Sequence, residues 1–164
     1  TVTLTVENEA GETANITGAD AVKVRSSICY VRAEGASTPA EPYATPETAA
    51  NNIGDALGMG PKTIDVGEGS IPLGKTIRLN YGVCVVGAGP DKTMLTAGGC
   101  DMGASNFYVE HEDAVLTGVC VDNPWCNWGT MMSLSDGVIS NCVFRKCGSN
   151  YTGTMFMLGG RLVD

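Results

Sequence analysis

Charged side chains are scarce in this chain, and basic ones are the scarcest. Charged residues make up 17% of the 164 residues, against about 25% in typical globular domains. The 10 Lys and Arg face 18 Asp and Glu, which gives a formal net charge of −8. A nucleic acid or an anionic membrane surface would need a cationic face on the protein, so this balance argues against both as partners.

Several other features are missing, and each absence excludes a class of site. His111 is the sole histidine, so the chain cannot form a two-His metal site. No apolar run is long enough to cross a bilayer, and we expect no membrane-spanning segment. Asn-Gly turns are almost absent, which disfavours simple up-and-down strand pairing.

The residues that are abundant favour turns and are sufficient for a hydrophobic core. There are 22 Gly and 7 Pro, and 43% of the residues are hydrophobic, so wholesale disorder is not expected. Seven cysteines are present, none with the two-residue gap of a zinc knuckle or a thioredoxin motif. Cys84 and Cys120 lie between apolar neighbours and Cys142 precedes Val143, and all three are interpreted as strand or core residues. A disulfide among Cys100, Cys126 and Cys147 is the alternative that the spacing leaves open.

Residues 1–24 alternate between apolar and polar side chains, with a break at residues 9–12. This pattern predicts two strands joined by a turn. It resembles the last two strands of a polycystic kidney disease (PKD) type immunoglobulin-like domain, which implies an extracellular spacer module over residues 1–26 without a catalytic residue. The chain starts and finishes inside apolar runs, and we therefore interpret it as a piece of a longer protein.

A short amphipathic helix is predicted over residues 45–57. Thr45 is a suitable N-cap, Pro46 suits the first helical position, and Glu47 favours the positive end of the helix dipole. Apolar residues recur on one stripe, and Gly58 follows the last of them.

From residue 61 onward, short apolar bursts recur with a period of about 23 or 24 residues. Aligning residues 129–139 with 153–163 gives an offset of 24, and aligning 115–121 with 138–144 gives an offset of 23. Repeats of this length made of short strands indicate a solenoid. Leucine-rich repeats share the length but would need Leu and Asn at fixed positions, which the chain lacks.

The remaining solenoid is the parallel β-helix, and here a family resemblance supports the pattern. Residues 43–57 and 63–99 resemble the opening of bacterial pectate-lyase-like proteins, in which a helix covers the first coil. The matching positions are Ile64, Val66, Gly69, Leu73, Ile77, Leu79, Val83, Val85, Gly87, Gly89 and Thr93. The resemblance implies an all-β, right-handed parallel β-helix over residues 27–164, in a secreted or cell-surface protein.

Two clusters are candidate binding sites. Glu110, Glu112 and Asp113 form the densest group of carboxylates and are a candidate calcium site, because calcium prefers carboxylate oxygens. The second cluster is a candidate glycan site in which indole rings would stack on sugars, and it consists of Asp122, Asn123, Trp125 and Trp128.

The sequence thus predicts a structural, adhesive or glycan-binding role, with no catalytic residues assigned and no cofactor other than calcium. The alternative is a polysaccharide lyase or glycoside hydrolase whose catalytic residues lie outside this chain. The expected partner is a polysaccharide or a cell-surface glycan. Self-association through an uncovered last coil is a further expectation, since exposed strand edges attract other strands.

Overall fold

A computed structural model of the chain describes residues 2–7, 13–18, 26–96, 107–122, 132–146 and 155–164. The first two strands, β1 (Val2–Glu7) and β2 (Thr13–Gly18), form a two-stranded antiparallel sheet. Their register places Leu4 opposite Ile16. The strand pair predicted for residues 1–24 is therefore confirmed.

All other strands are short, and every pairing among them is parallel. In chain order they are β3 (Ile28–Val31), β4 (Thr63–Val66), β5 (Gly69–Pro72), β6 (Ile77–Leu79), β7 (Cys84–Gly87), β8 (Thr93–Thr96), β9 (Phe107–Val109), β10 (Val115–Thr117), β11 (Cys120–Asp122), β12 (Met132–Leu134), β13 (Val138–Ser140), β14 (Val143–Arg145), β15 (Met155–Met157) and β16 (Arg161–Val163).

These strands form three sheets. Sheet I has the order β16-β13-β10-β7-β4-β3, sheet II the order β14-β11-β8-β5, and sheet III the order β15-β12-β9-β6. From β4 to β15 the chain passes through sheets I, II and III four times in the same sequence, and we call each pass a coil. An all-β arrangement with three stacked parallel sheets is compatible with the predicted parallel β-helix.

The register confirms one of the two repeat alignments. Val115 lies opposite Val138 in sheet I, and Cys120 lies opposite Val143 in sheet II. Both pairs have the predicted offset of 23 residues. Sheets I and II therefore have the same offset of 23 residues between these two coils.

The alignment with an offset of 24 is wrong by one residue. Met132 lies opposite Met155, and Leu134 lies opposite Met157. The sequence match had placed Leu134 against Leu158, which follows the end of β15. Because side chains alternate between the two faces of a strand, a shift of one residue would exchange the buried and exposed positions.

The core consists of columns of apolar side chains that are contributed by equivalent positions of successive coils. Each of these side chains is almost completely buried, and burial of one such side chain contributes about 1.5–3 kcal/mol. The columns are Cys29, Ile64, Val85, Leu116 and Ile139 in sheet I, Ile71, Leu95 and Val121 in sheet II, and Ile77, Phe107 and Met132 beside Leu79, Val109 and Leu134 in sheet III.

The single helix predicted over residues 45–57 is wrong, because the segment is interrupted. Thr45 does cap a 3-10 turn over Pro46–Thr48, as its side chain accepts a hydrogen bond from the Thr48 amide. Ala50 then runs alongside β3, where its N–H donates to the Tyr30 carbonyl at 2.9 Å. These strand-like backbone bonds are incompatible with continuous helix at this point.

Asn52 is the N-cap of a second helical segment, which packs against the first two strands of sheet I. Asn52 accepts a hydrogen bond from the Asp55 amide at 2.9 Å and begins α1, which spans Ile53–Gly58. Ile53 and Ala56 are fully buried, and α1 contacts β3 and β4. The backbone edge of β3 is therefore bonded by Tyr43 and Ala50, and α1 packs beside it.

Candidate functional site

Of the four residues in the predicted glycan site, Asp122 is the one within the described residues. It ends β11 in sheet II, where it lies opposite Thr96 of the preceding coil and Arg145 of the following coil. Asn123, Trp125 and Trp128 lie outside the described residues. The structure therefore gives the position of Asp122, and the glycan site stays a prediction.

Asp122 is held between two cations. Its Oδ2 lies 3.6 Å from Arg145 Nη2 and 3.4 Å from Lys146 Nζ, while its side chain is only 12% exposed. Register explains the first contact, since Arg145 occupies the equivalent position one coil later. The sequence alone does not connect Arg145 and Lys146 with Asp122, because pairing between coils cannot be identified before the register is known.

A groove runs beside this cluster along the outward face of sheet II. Its volume is about 440 Å³. We call it the sheet II groove, and its lining residues are Gly69, Ser70, Pro90, Asp91, Lys92, Met94, Cys120, Val143 and Arg145. Four of them, Ser70, Met94, Cys120 and Val143, follow one another across the four strands in register.

The groove combines an apolar floor with charged groups at its margin. Met94, Cys120 and Val143 provide apolar surface, while Lys92 and Arg145 provide cations. Lys92 Nζ also lies 2.9 Å from Glu68 Oε1 in an exposed ion pair. Such a surface can pack against the carbon faces of a sugar and donate hydrogen bonds to its oxygens.

Strands β8, β11 and β14 of sheet II end at the register-matched residues Thr96, Asp122 and Arg145. In each case the next described strand along the chain belongs to sheet III, and the intervening residues 97–106, 123–131 and 147–154 lie outside the described residues. The two tryptophans of the predicted site belong to the second of these segments. Segments that connect the strands of a rigid scaffold are where binding residues concentrate.

In the predicted calcium site, the Glu110 carboxylate is paired with a cation. Glu110 Oε1 lies 2.7 Å from Arg78 Nη1, and the Arg78 guanidinium stacks 3.7 Å above the ring of Tyr108. The Asp113 amide donates to His111 Nδ1 at 3.1 Å. Within the described part of the chain, no three His, Cys, Asp or Glu side chains form a group that could hold a metal ion. Calcium binding by Glu110, Glu112 and Asp113 stays a prediction.

Four cysteines fall within the described residues, and all four are free thiols. Cys84 and Cys120 lie in strands β7 and β11, and Cys142 directly precedes β14 and packs against the core. Burial raises the pKa of the Cys84 and Cys142 thiols, and also that of Cys29. A thiol with a raised pKa is a poor nucleophile at neutral pH. Cys100, Cys126 and Cys147, the predicted alternative for a disulfide, lie outside the described residues.

Arg32 forms a second polar site that sequence reasoning missed. Its Nη1 lies 2.9 Å from Asp65 Oδ1 and donates to the Val31 carbonyl at 2.8 Å. A Cβ on Gly67 would lie 2.6 Å from Arg32 Cδ, so this path for the arginine requires glycine at position 67. The contacts join successive strands of sheet I and are those of a structural ion pair.

Membrane spans and similarity to known proteins both bear on this chain's function. None of the helical segments within the described ranges is long and apolar enough to span a membrane. Comparison of the chain with protein-family models, with curated proteins and with solved structures gives no match.

Proposed function

We propose that this chain is part of a secreted or cell-surface protein that binds glycan along the outward face of sheet II. The proposal includes a finer fold assignment, a right-handed β-helix of the pectate-lyase-like kind preceded by the last strands of a PKD-type domain. That assignment is supported by the sequence resemblance and by the three parallel sheets. The observation that carries the function is the position of Asp122 between two cations beside the sheet II groove.

The chemistry of this cluster suits sugar hydroxyls. A carboxylate accepts hydrogen bonds, and Arg and Lys donate them, so a vicinal pair of hydroxyls can satisfy Asp122 and Arg145 together. Charged partners strengthen each of these bonds. The apolar floor formed by Met94 and Val143 would contact the C–H groups of the same ring.

The tryptophans complete the proposed site. Trp125 and Trp128 follow Asp122 by three and six positions on the connection that leaves sheet II. Aromatic rings provide large, rigid contact surfaces at a small cost in side-chain entropy. We therefore place the glycan on the sheet II groove beside Asp122, and expect the two tryptophans that follow in the sequence to contribute to its binding.

Binding of the 164-residue protein to a glycan array, followed by calorimetry on the glycans that bind, tests the proposal. We expect Asp122→Asn to weaken binding at least tenfold and Trp125→Ala to weaken it as well. Arg78→Gln removes an exposed cation from sheet III and is the matched control, which should bind with unchanged affinity. Circular dichroism should show the same fold for all variants.

Two results would overturn the proposal. The first is an absence of binding to any glycan on the array. The second is an equal affinity of Asp122→Asn and the unchanged protein for a glycan that binds. Turnover of a uronate polymer, measured by the absorbance of unsaturated products, would replace the binding role with the lyase alternative.

A further inference from the structure

The cations at the sheet II groove are all paired with carboxylates. Lys92 and Arg145 line the groove, and Lys146 lies beside it. Lys92 Nζ lies 2.9 Å from Glu68 Oε1, and Arg145 and Lys146 share the carboxylate of Asp122. The positive charge at this part of the described surface is therefore already matched by carboxylates of the protein itself.

The rest of the groove and the segments that follow the sheet II strands add no positive charge. Asp91 contributes a further carboxylate to the groove lining. Residues 97–106, 123–131 and 147–154 contain one charged side chain, that of Asp101. The whole chain has a formal net charge of −8. A polyanionic glycan would therefore be repelled by the protein, and no excess of cations at the groove offsets this repulsion.

We propose that the glycan bound at the sheet II groove is uncharged and consists of neutral sugars. This inference rests on the function proposed above and names the class of glycan. A sugar hydroxyl can donate one hydrogen bond and accept others. One hydroxyl can therefore donate to Asp122 and accept from Arg145, so that both members of the ion pair keep a partner when the glycan binds.

A uronic acid fits the same groups less well. Its carboxylate only accepts hydrogen bonds, so it competes with Asp122 for Arg145 and Lys146. Asp122 is only 12% exposed, and its Oδ2 accepts a hydrogen bond from Lys146 Nζ at 3.4 Å. A carboxylate with so little access to water is costly to leave without its cations. The pairing of Asp122 thus favours a ligand that brings no negative charge.

Pairs of glycans that differ in charge test the inference. A neutral glycan that binds the 164-residue protein is compared by calorimetry with its C6-oxidised form, in which carboxylates replace the C6 hydroxyl groups. We expect the oxidised form to bind at least about tenfold more weakly. The methyl ester of the oxidised form is uncharged and should recover the affinity, which separates the effect of charge from that of size.

Salt provides a second readout of the same property. Hydrogen bonds to hydroxyls and contacts with C–H groups involve no net charge on the ligand, so salt should screen little of the binding energy. The affinity for the neutral glycan should change by less than about twofold between roughly 0.05 and 0.5 M sodium chloride.

A matched pair of variants tests the role of the carboxylates. Glu68→Gln removes the partner of Lys92 at the margin of the groove. The preference for the neutral over the oxidised form should then narrow by roughly two- to fivefold. Glu112→Gln is the control, because it removes an exposed carboxylate between β9 and β10, away from sheet II. In calcium-free buffer it should leave the preference unchanged.

Three results would overturn this inference while glycan binding itself stands. They are equal or tighter binding of the oxidised form, a steep loss of affinity with rising salt, and an equal effect of Glu68→Gln and Glu112→Gln. Binding confined to acidic glycans would overturn it in the same way. An array on which no glycan binds would overturn the proposed function, and this inference with it.

Discussion

Gly87 and Gly118 lie against each other at the corner between sheets I and II. A Cβ on Gly118 would lie 2.7 Å from the carbonyl oxygen of Gly87, and Gly118 has a φ of +70°. The Gly118 amide donates to the Asn141 carbonyl of the next coil at 3.1 Å. Asn141 also has a positive φ, of 46°. Two successive coils therefore both have a residue with left-handed backbone at this corner. Only glycine fits at residues 87 and 118, where the two backbones are closest.

Replacement of Gly118 by alanine should destabilise the protein. The left-handed backbone costs a Cβ-bearing residue about 1–2 kcal/mol, and the contact with Gly87 adds to this cost. We expect the free energy of unfolding, measured by urea denaturation, to fall by at least about 2 kcal/mol. Gly58→Ala is the control, because a Cβ at this last residue of α1 meets no atom within 4 Å. An equal effect of both substitutions would contradict the close approach at the corner.

Thr93 is the one buried polar side chain among the described residues. Its Oγ1 accepts a hydrogen bond from the Ala88 amide at 2.9 Å and donates one to the Gly67 carbonyl at 3.0 Å. Thr93→Val leaves both backbone groups without this partner, and we expect a loss of about 1–3 kcal/mol in the free energy of unfolding.

Thr93→Ser tests whether the hydroxyl is responsible. Serine retains the hydroxyl group and should recover part of the loss. Thr76→Val changes an exposed threonine and should alter stability by at most about 0.5 kcal/mol. Equal stabilities of Thr93→Val and the unchanged protein would show that the two hydrogen bonds contribute nothing.

One column of sheet I allows the same substitution to be compared at a buried and at an exposed position. Leu116 is fully buried between Val85 and Ile139, whereas Leu162, which also pairs with Ile139, is 56% exposed. Leu116→Ala should cost about 2–5 kcal/mol because it leaves a cavity. Leu162→Ala should cost less than about 1 kcal/mol, measured in dilute solution. The prediction fails if the order of the two effects is reversed.

The partly buried thiol of Cys142 should make stability depend on pH in the alkaline range. Burial raises its pKa in the folded protein, where the thiol also donates to the Ser140 carbonyl at 3.1 Å. In the unfolded chain a thiol ionises near pH 8.5. Its contribution to stability is therefore complete below that pH, and is lost as the pH rises through the raised pKa of the folded state.

Urea denaturation between pH 7 and pH 10 measures this effect. The free energy of unfolding should fall more steeply above pH 8.5 in the unchanged protein than in Cys142→Ala. Parallel curves for the two proteins would show that the Cys142 thiol has the same pKa in both states.

Local patterns in the sequence are informative for many of the strands, but not for the relations between them. The apolar pattern of a strand is visible in the sequence of β3, β4 and β9. β5 lacks it, because Gly69 and Pro72 are its terminal residues and resemble a turn. Its pairing with β8 depends on residues one coil away, which local patterns do not contain.

The candidate site was predictable only in part, for the same reason. Asp122 was selected because of its neighbours in sequence, Asn123 and Trp125. The cations beside it, Arg145 and Lys146, come from the next coil, and Arg145 reaches it through the register of sheet II. A one-residue error in that register, like the one made for the last coil, would place Arg145 on the opposite face.

The interval between equivalent strands varies while the register within the sheets is maintained. Thr63 and Cys84 are partners across 21 residues (63 to 84), and Cys84 and Val115 are partners across 31 (84 to 115). The extra residues lie between strands in the sequence, and the parallel pairing of the strands themselves is unchanged. Natural variants and engineered grafts could therefore lengthen a connection, including the one that carries Trp125, and acquire new recognition without redesign of the scaffold beneath it.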